Sequence, residues 1–112
     1  MAKKGINSRA KGKRGELEAS KFLARFGFKA RRGQQFSGLG GSQDLVHDIP
    51  GVHIEVKYVE RLNVHEAMAQ AERDCLGKVP VVLHRRNGSQ WLVTLPADEF
   101  LRLKGGDDLS DL

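Results

Sequence analysis

Apolar and polar residues alternate strictly from Val52 to Tyr58: Val52, Ile54 and Val56 fall on one side, His53, Glu55 and Lys57 on the other. This is the period-two pattern of a half-buried strand. Just before it, residues 44–48 read as a second strand, and Ile49-Pro50-Gly51 suits a tight hairpin between the two. Upstream, residues 14–26 carry a helical stripe with Leu17, Ser20, Phe22, Leu23 and Phe26 directed to a core, and Gly27 stops it. Residues 28–32 form a short strand. Downstream, Asn63 caps a helix over residues 64–76 that Gly77 ends. Residues 80–84 are a near-continuous apolar strand of the kind covered on both faces. Asn87-Gly88 turns the chain into a returning strand over residues 89–95, and Pro96 opens a short helix to Leu103. The predicted class is therefore α/β, a mixed central sheet flanked by helices.

Composition narrows this picture. With 112 residues and 39% apolar positions, the chain is sized for a single core, and no apolar run reaches the length of a membrane span. The lone Cys75 leaves no internal disulfide and no zinc-binding cysteine cluster, and points to a reducing cytoplasm. His47, His53, His65 and His84 fit no standard zinc spacing and read as surface or boundary residues. The net charge of +5 is unevenly spread. Residues 1–35 hold eleven Lys and Arg against Glu16 and Glu18, whereas the remainder is mildly acidic. A basic third on an acidic body is the footprint of phosphate binding at one end. The expected organisation is a flexible basic arm at 1–13, one folded domain at 14–104, and an acidic disordered tail at 105–112.

The candidate chemistry centres on Asp44, Glu55 and Lys57. Glu55 and Lys57 project from one face of their strand, and a hairpin through residues 49–51 would set Asp44 beside them. Two converging carboxylates make an oxygen-rich site for a hard divalent cation, and a neighbouring lysine can orient a water or stabilise charge on phosphorus. The reaction this suggests is metal-assisted phosphodiester hydrolysis. The glycine- and serine-rich stretch at 33–42 lacks the Gly-Lys-Ser/Thr ending of a P-loop, so no nucleotide cofactor is expected.

Four features occur in order at compatible spacing: Lys11-Gly12 with Glu16, the Gly/Ser segment 36–43, Asp44-Leu45-Val46, and Glu55-Val56-Lys57, with Gln70 thirteen residues beyond the lysine. Together they resemble the PD-(D/E)xK nuclease superfamily, and within it the archaeal-type Holliday junction resolvases, over roughly residues 8–95. Gln43 stands where the family usually has proline, and the segment from Trp91 to Leu103 resembles it least.

The resemblance implies a restriction-endonuclease-like core and a Mg2+-dependent endonuclease, with Mn2+ as a substitute, that resolves four-way DNA junctions as a homodimer making paired symmetric nicks. It implies Asp44, Glu55 and the Val56 carbonyl as metal ligands, Glu16 completing the site, Lys57 activating the attacking water, and Gln70 supporting it. Asp48, at i+4 from Asp44, is a reserve ligand. Arg9, Lys11, Lys13, Arg14, Arg31 and Arg32, with Ser37 and the hairpin residues Arg85 and Arg86, are the expected DNA contacts, positioning phosphates without reading bases. The strands at 79–83 and 91–95, or the helices beside them, are the candidate dimer surfaces. Two other readings stay open at this point: another PD-(D/E)xK endonuclease of restriction or repair type, and a non-catalytic DNA-binding protein on the same fold.

Overall fold

The computed structural model describes residues 8–33 and 45–110. In chain order the elements are α1 (Ser8–Ala24), β1 (Ala30–Arg32), β2 (Leu45–His47), β3 (Val52–Tyr58), α2 (Val64–Asp74), β4 (Val79–Arg85), β5 (Leu92–Thr94) and α3 (Ala97–Leu103). The chain is thus of mixed α/β type, as the periodicities predict.

Helix α1 begins at Ser8, inside the stretch expected to be a flexible arm, so residues 8–13 are helical. It closes as the sequence predicts. Gly27 takes φ +90°, the Phe28 N–H donates to Leu23 O (3.2 Å) and the Gly27 N–H to Ala24 O (3.0 Å), a Schellman ending. Its buried face matches the expected one at Ser20, Leu23 and Phe22, which packs against the core, but not throughout. Leu17 and Phe26 are exposed, while Glu16, Ala19, Ser20 and Leu23, at i, i+3, i+4 and i+7, form the inward stripe. The early start also places Glu16 well past the first turn, so the helix dipole gives no account of an acid there.

The expected hairpin between the strands flanking residues 49–51 does not form. β2 pairs antiparallel with β1, with Arg31 opposite Val46. β3 pairs in parallel with β4 over seven residue pairs, from Val52↔Val79 to Tyr58↔Arg85, and β4 continues antiparallel to β5. The apolar run in β4 decides this outcome. Val82 and Leu83 are buried on opposite faces, and only the central position of a sheet covered on both sides satisfies both. Pro80 is tolerated there for a local reason. Val79 N donates to Gly51 O, so residue 80 turns its missing donor toward the β5 side, where pairing starts only at Val82.

Two helices cover the two faces of this sheet. Ala19 and Leu23 of α1 pack with Ile54 and Leu83, with Val52, Val56, Val81 and Trp91 around them. On the other face Ala67 and Ala71 of α2 pack on Val82, flanked by Leu62 and Met68. Asn63 caps α2 by accepting from Glu66 N (3.1 Å), as the sequence predicts. α3 starts after Pro96 and buries none of its residues.

β2 carries a proton-sensitive contact. His47 Nδ1 accepts from Ile49 N–H at 3.0 Å. Burial, then the positive charge of Lys78, push the His47 imidazole below the ordinary value of 6.5, and burial does the same to His84. Both shifts are depressions of a cationic acid. The stability they carry is therefore present above pH 6.5 and is lost as pH falls through the lowered folded-state values. Thermal unfolding followed from pH 7.5 to pH 5 is expected to show a falling Tm, with a shallower fall in His47→Gln; identical slopes for the two proteins would remove His47 from the account.

Candidate functional site

Strand β3 delivers the candidate residues. Its odd positions His53, Glu55 and Lys57 face α2, because the even positions Val52, Ile54 and Val56 pack under α1. Glu55 is 1% exposed, one of the two largest fully buried side chains among the described residues. A carboxylate this deep is costly unless it is hydrogen-bonded. His53 meets part of that need, with its Nε2 3.2 Å from Glu55 Oε2.

Helix α2 runs back along β3 and lays a second row over the first. Its inward positions are Ala67, Gln70, Ala71 and Asp74, at i, i+3, i+4 and i+7. Ala67 and Ala71 pack in the core beneath it. The polar pair, one turn apart, meets the polar row of β3: Lys57 Nζ donates to Gln70 Oε1 at 2.9 Å. One ligand atom from each of His53, Glu55 and Asp74 lies within 4.8 Å of the others. Gln70 and Lys57 are thus brought together as expected. Asp74 and His53 are additions, since His53 was read as an ordinary boundary residue. The signal for Asp74 was present in the sequence, as its i+4 relation to Gln70 sets both on one helix face.

Glu16 is directed inward and 7% exposed, and its Oε1 accepts from Arg32 Nε at 3.0 Å. Among the described residues, the carboxylate that joins Glu55 and His53 in a ligand-spaced group is Asp74 rather than Glu16. Val79 N bonds Gly51 O and Val59 N bonds Arg85 O, so odd residues of β3 face β4 and the Val56 carbonyl points to the opposite strand edge. Asp48 Oδ1 accepts from Lys29 N–H (2.9 Å), tying β2 to the approach of β1. The roles expected of Asp44 and Ser37, and of the Arg9 and Lys11 side chains, fall outside the described residues.

The expected DNA contacts divide by what already holds them. Lys13 and Arg31 are exposed. Arg32 is in the Glu16 ion pair. Arg14 lies over the Tyr58 ring at 5.8 Å, and Arg85 lies between Tyr58 (5.9 Å) and Trp91 (5.7 Å) while donating to Ser89 O at 2.7 Å. These contacts give Arg14 and Arg85 a packing role against aromatic faces. Arg86 is exposed on the turn, its Nε bonded to Ser89 Oγ at 3.2 Å.

As a donor set, the buried Glu55 carboxylate, the Asp74 carboxylate and the His53 imidazole fit a divalent cation of the Mg2+ or Mn2+ type, with imidazole favouring the latter. No model of a known protein family matches the chain, and no curated protein matches it.

Proposed function

We propose that the protein is a divalent-metal-dependent DNA endonuclease that cuts four-way junctions by paired nicks as a homodimer. The observation that carries the proposal is the buried Glu55 carboxylate on the same strand face as Lys57, with Lys57 held by Gln70. Buried charge costs stability and is retained where chemistry uses it. The order of motifs, Glu16, Asp44 and Glu55-Val56-Lys57, supports the phosphodiesterase reading, and the basic N-terminal third supports a nucleic-acid substrate.

In this reading Glu55, Asp44 and the Val56 carbonyl would hold a Mg2+ or Mn2+ ion, Asp74 and His53 would support Glu55, and Glu16 would complete the site. Such an ion polarises the scissile phosphate and lowers the pKa of a bound water. The protein's own groups do the rest. Gln70 fixes the Lys57 ammonium so that it faces the reacting phosphate and orients the attacking water. The sheet and α2 exclude bulk water from Glu55. Lys13, Arg31 and Arg86 position phosphates of the substrate arms, with Arg9 and Lys11 adding charge at the start of the chain.

A homodimer supplies the two symmetric cuts. β4 is no longer a candidate surface, because it is central and covered on both faces. The apolar surface that supports pairing lies in the other expected candidates, at Val93 on the sheet edge and at Phe100 and Leu101 on α3, all about half exposed.

The test is incubation of a labelled synthetic four-way junction, alongside linear duplex, with Mg2+ and with Mn2+. Paired symmetric nicks on the junction are the expected result. Binding without cleavage under either ion overturns the catalytic reading, and equal cleavage of linear duplex overturns junction selectivity. Gln70→Ala should lower single-turnover cleavage about 10- to 100-fold, the scale of a lost hydrogen bond to a charged group; an unchanged rate would deny Gln70 its part in holding Lys57.

A further inference from the structure

Lys57 and His84 are direct partners across the β3–β4 ladder, so both stand on the face covered by α2. Beyond them the parallel pair ends at Tyr58 and Arg85, and the two chains part. One leads through residues 59–63 into α2; the other rises into the turn before β5. The gap between them is a cavity of about 450 Å³. It opens at the carboxyl ends of two parallel strands, the position where α/β sheets most often receive ligands. Its volume lies within the range of small-molecule sites, commonly 300–1,000 Å³.

The lining has two characters. Val59, Leu62 and Leu92 give apolar walls, and His84, Arg86 and Gln90 bring polar groups to them. His84 Nε2 is 2.9 Å from Thr94 Oγ1, which fixes the ring against β5. Gln90 is exposed and offers the amide donor and acceptor that match base edges. Arg86 stands at the rim with a solvent-facing guanidinium, whereas Arg85, which also lines the cavity, holds its guanidinium over Tyr58 and Trp91. Glu60, also at the rim, accepts from Asn87 N–H (2.9 Å), which engages its carboxylate with the turn. Apolar walls with a few converging polar groups suit an organic ring better than a bare anion, and the arginine at the mouth suits a phosphate joined to it.

We infer that this cavity receives one unstacked nucleotide of the DNA substrate, with its base between Leu62 and Leu92 and its phosphate at Arg86. The inference rests on the nuclease reading for its placement, because His84, which lines the cavity, is the ladder partner of Lys57 on the same face. It gives the protein a means of selecting substrates that spare an unpaired base near the cut, since unstacking costs least where pairing is already broken.

The experiment has two arms. In the first, amide and methyl resonances are followed by NMR as each of the four deoxynucleoside 5′-monophosphates is added, with inorganic phosphate as comparison. Saturable shifts of Leu62, Gln90 and Leu92 are expected for the nucleotides, with Kd on the order of 1 mM for a single unlinked unit. Phosphate alone should move only the Arg86 turn. Leu92→Trp, at a half-exposed position, should fill the cavity and abolish the nucleotide shifts while leaving the remaining spectrum in place. No saturable shift, the same pattern with phosphate alone, or shifts that persist in Leu92→Trp would each overturn the inference. In the second arm the same variant is assayed on the junction, where KM should rise about tenfold with kcat within about twofold, the signature of lost uniform binding. Nucleotide binding in a protein that cleaves no DNA would keep the cavity and discard the nuclease. Cleavage without nucleotide binding would do the reverse.

Discussion

Glu55→Gln is expected to lower cleavage of a four-way junction by roughly 10³-fold, the scale on which one preorganised electrostatic group acts, while junction affinity stays within about twofold. The substitution keeps the shape of the side chain and removes its charge. Because Glu55 is 1% exposed, its ionised form carries a desolvation cost in the folded protein. Gln keeps an oxygen acceptor for His53 at the same place while removing the charge, so the contact persists without the desolvation cost of a carboxylate. Two opposite readouts are therefore expected from one variant: activity lost, and Tm held or increased. Single-turnover cleavage and calorimetry on the same preparation check both. An active variant would sink the catalytic assignment. A variant that loses activity together with much of its stability would turn Glu55 into a structural residue paired with His53.

Gly15→Ala is expected to destabilise the protein, against the usual sign for a glycine inside a helix. Ordinarily that change gains about 0.5–1 kcal/mol from the restricted unfolded chain. Here a Cβ on residue 15 would stand 2.7 Å from Tyr58 Cβ. The obstructing atom is the root of a side chain fixed to β3, so it cannot swing aside, and the helix must move instead. Tyr58 is 7% exposed and held between Arg14 and Arg85, with its hydroxyl 3.3 Å from Asn87 Oδ1. Overpacking of this type costs about 1–3 kcal/mol, which exceeds the helix gain. The Tm should fall by about 5–10 °C for a domain of this size. Removing the obstructing Cβ should relieve the clash, so Gly15→Ala should cost less in a Tyr58→Gly background than in the native one. Equal costs in the two backgrounds would place the strain elsewhere.

The parts of the fold legible in the sequence were those set by short-range chemistry. The alternation in β3, the Asn63 cap, the glycine closing α1, the Asn87-Gly88 turn and the Pro96 start of α3 each depend on neighbours a few residues away. The partner of β3 was not legible, because residues 49–51 permit a hairpin while the competing β4 lies across a helix; the choice is made by burial of Val82 and Leu83, not by turn chemistry. The helical start at Ser8 was hidden by a segment of lysine, arginine and glycine with no apolar stripe. The inward face of α1 was legible at Ser20, Phe22 and Leu23 but misjudged at Leu17 and Phe26, which looked like core residues, whereas small Ala19 allows close approach to the sheet. At the site, Glu55, Lys57 and Gln70 were readable from strand parity and motif spacing. His53 and Asp74 share a strand face with Glu55 and a helix face with Gln70, respectively, but only the path of α2 back along β3 brings Asp74 to Glu55 and His53.

The lengths of the two strand ladders have a kinetic consequence. Seven residue pairs join β3 to β4, bracketed by Val79 N to Gly51 O and Val59 N to Arg85 O, whereas three join β1 to β2. Amide hydrogen exchange should divide accordingly, with the Glu55 and Lys57 amides opening only when the whole domain unfolds and those of Leu45–His47 opening in a smaller, more frequent event. In the proposed site, the strand that directly follows Asp44 would then be the loose half, set against a rigid half that carries Glu55. A substrate gripped by both would tie the loose half to the rigid one, and slower exchange at Leu45–His47 would be its imprint.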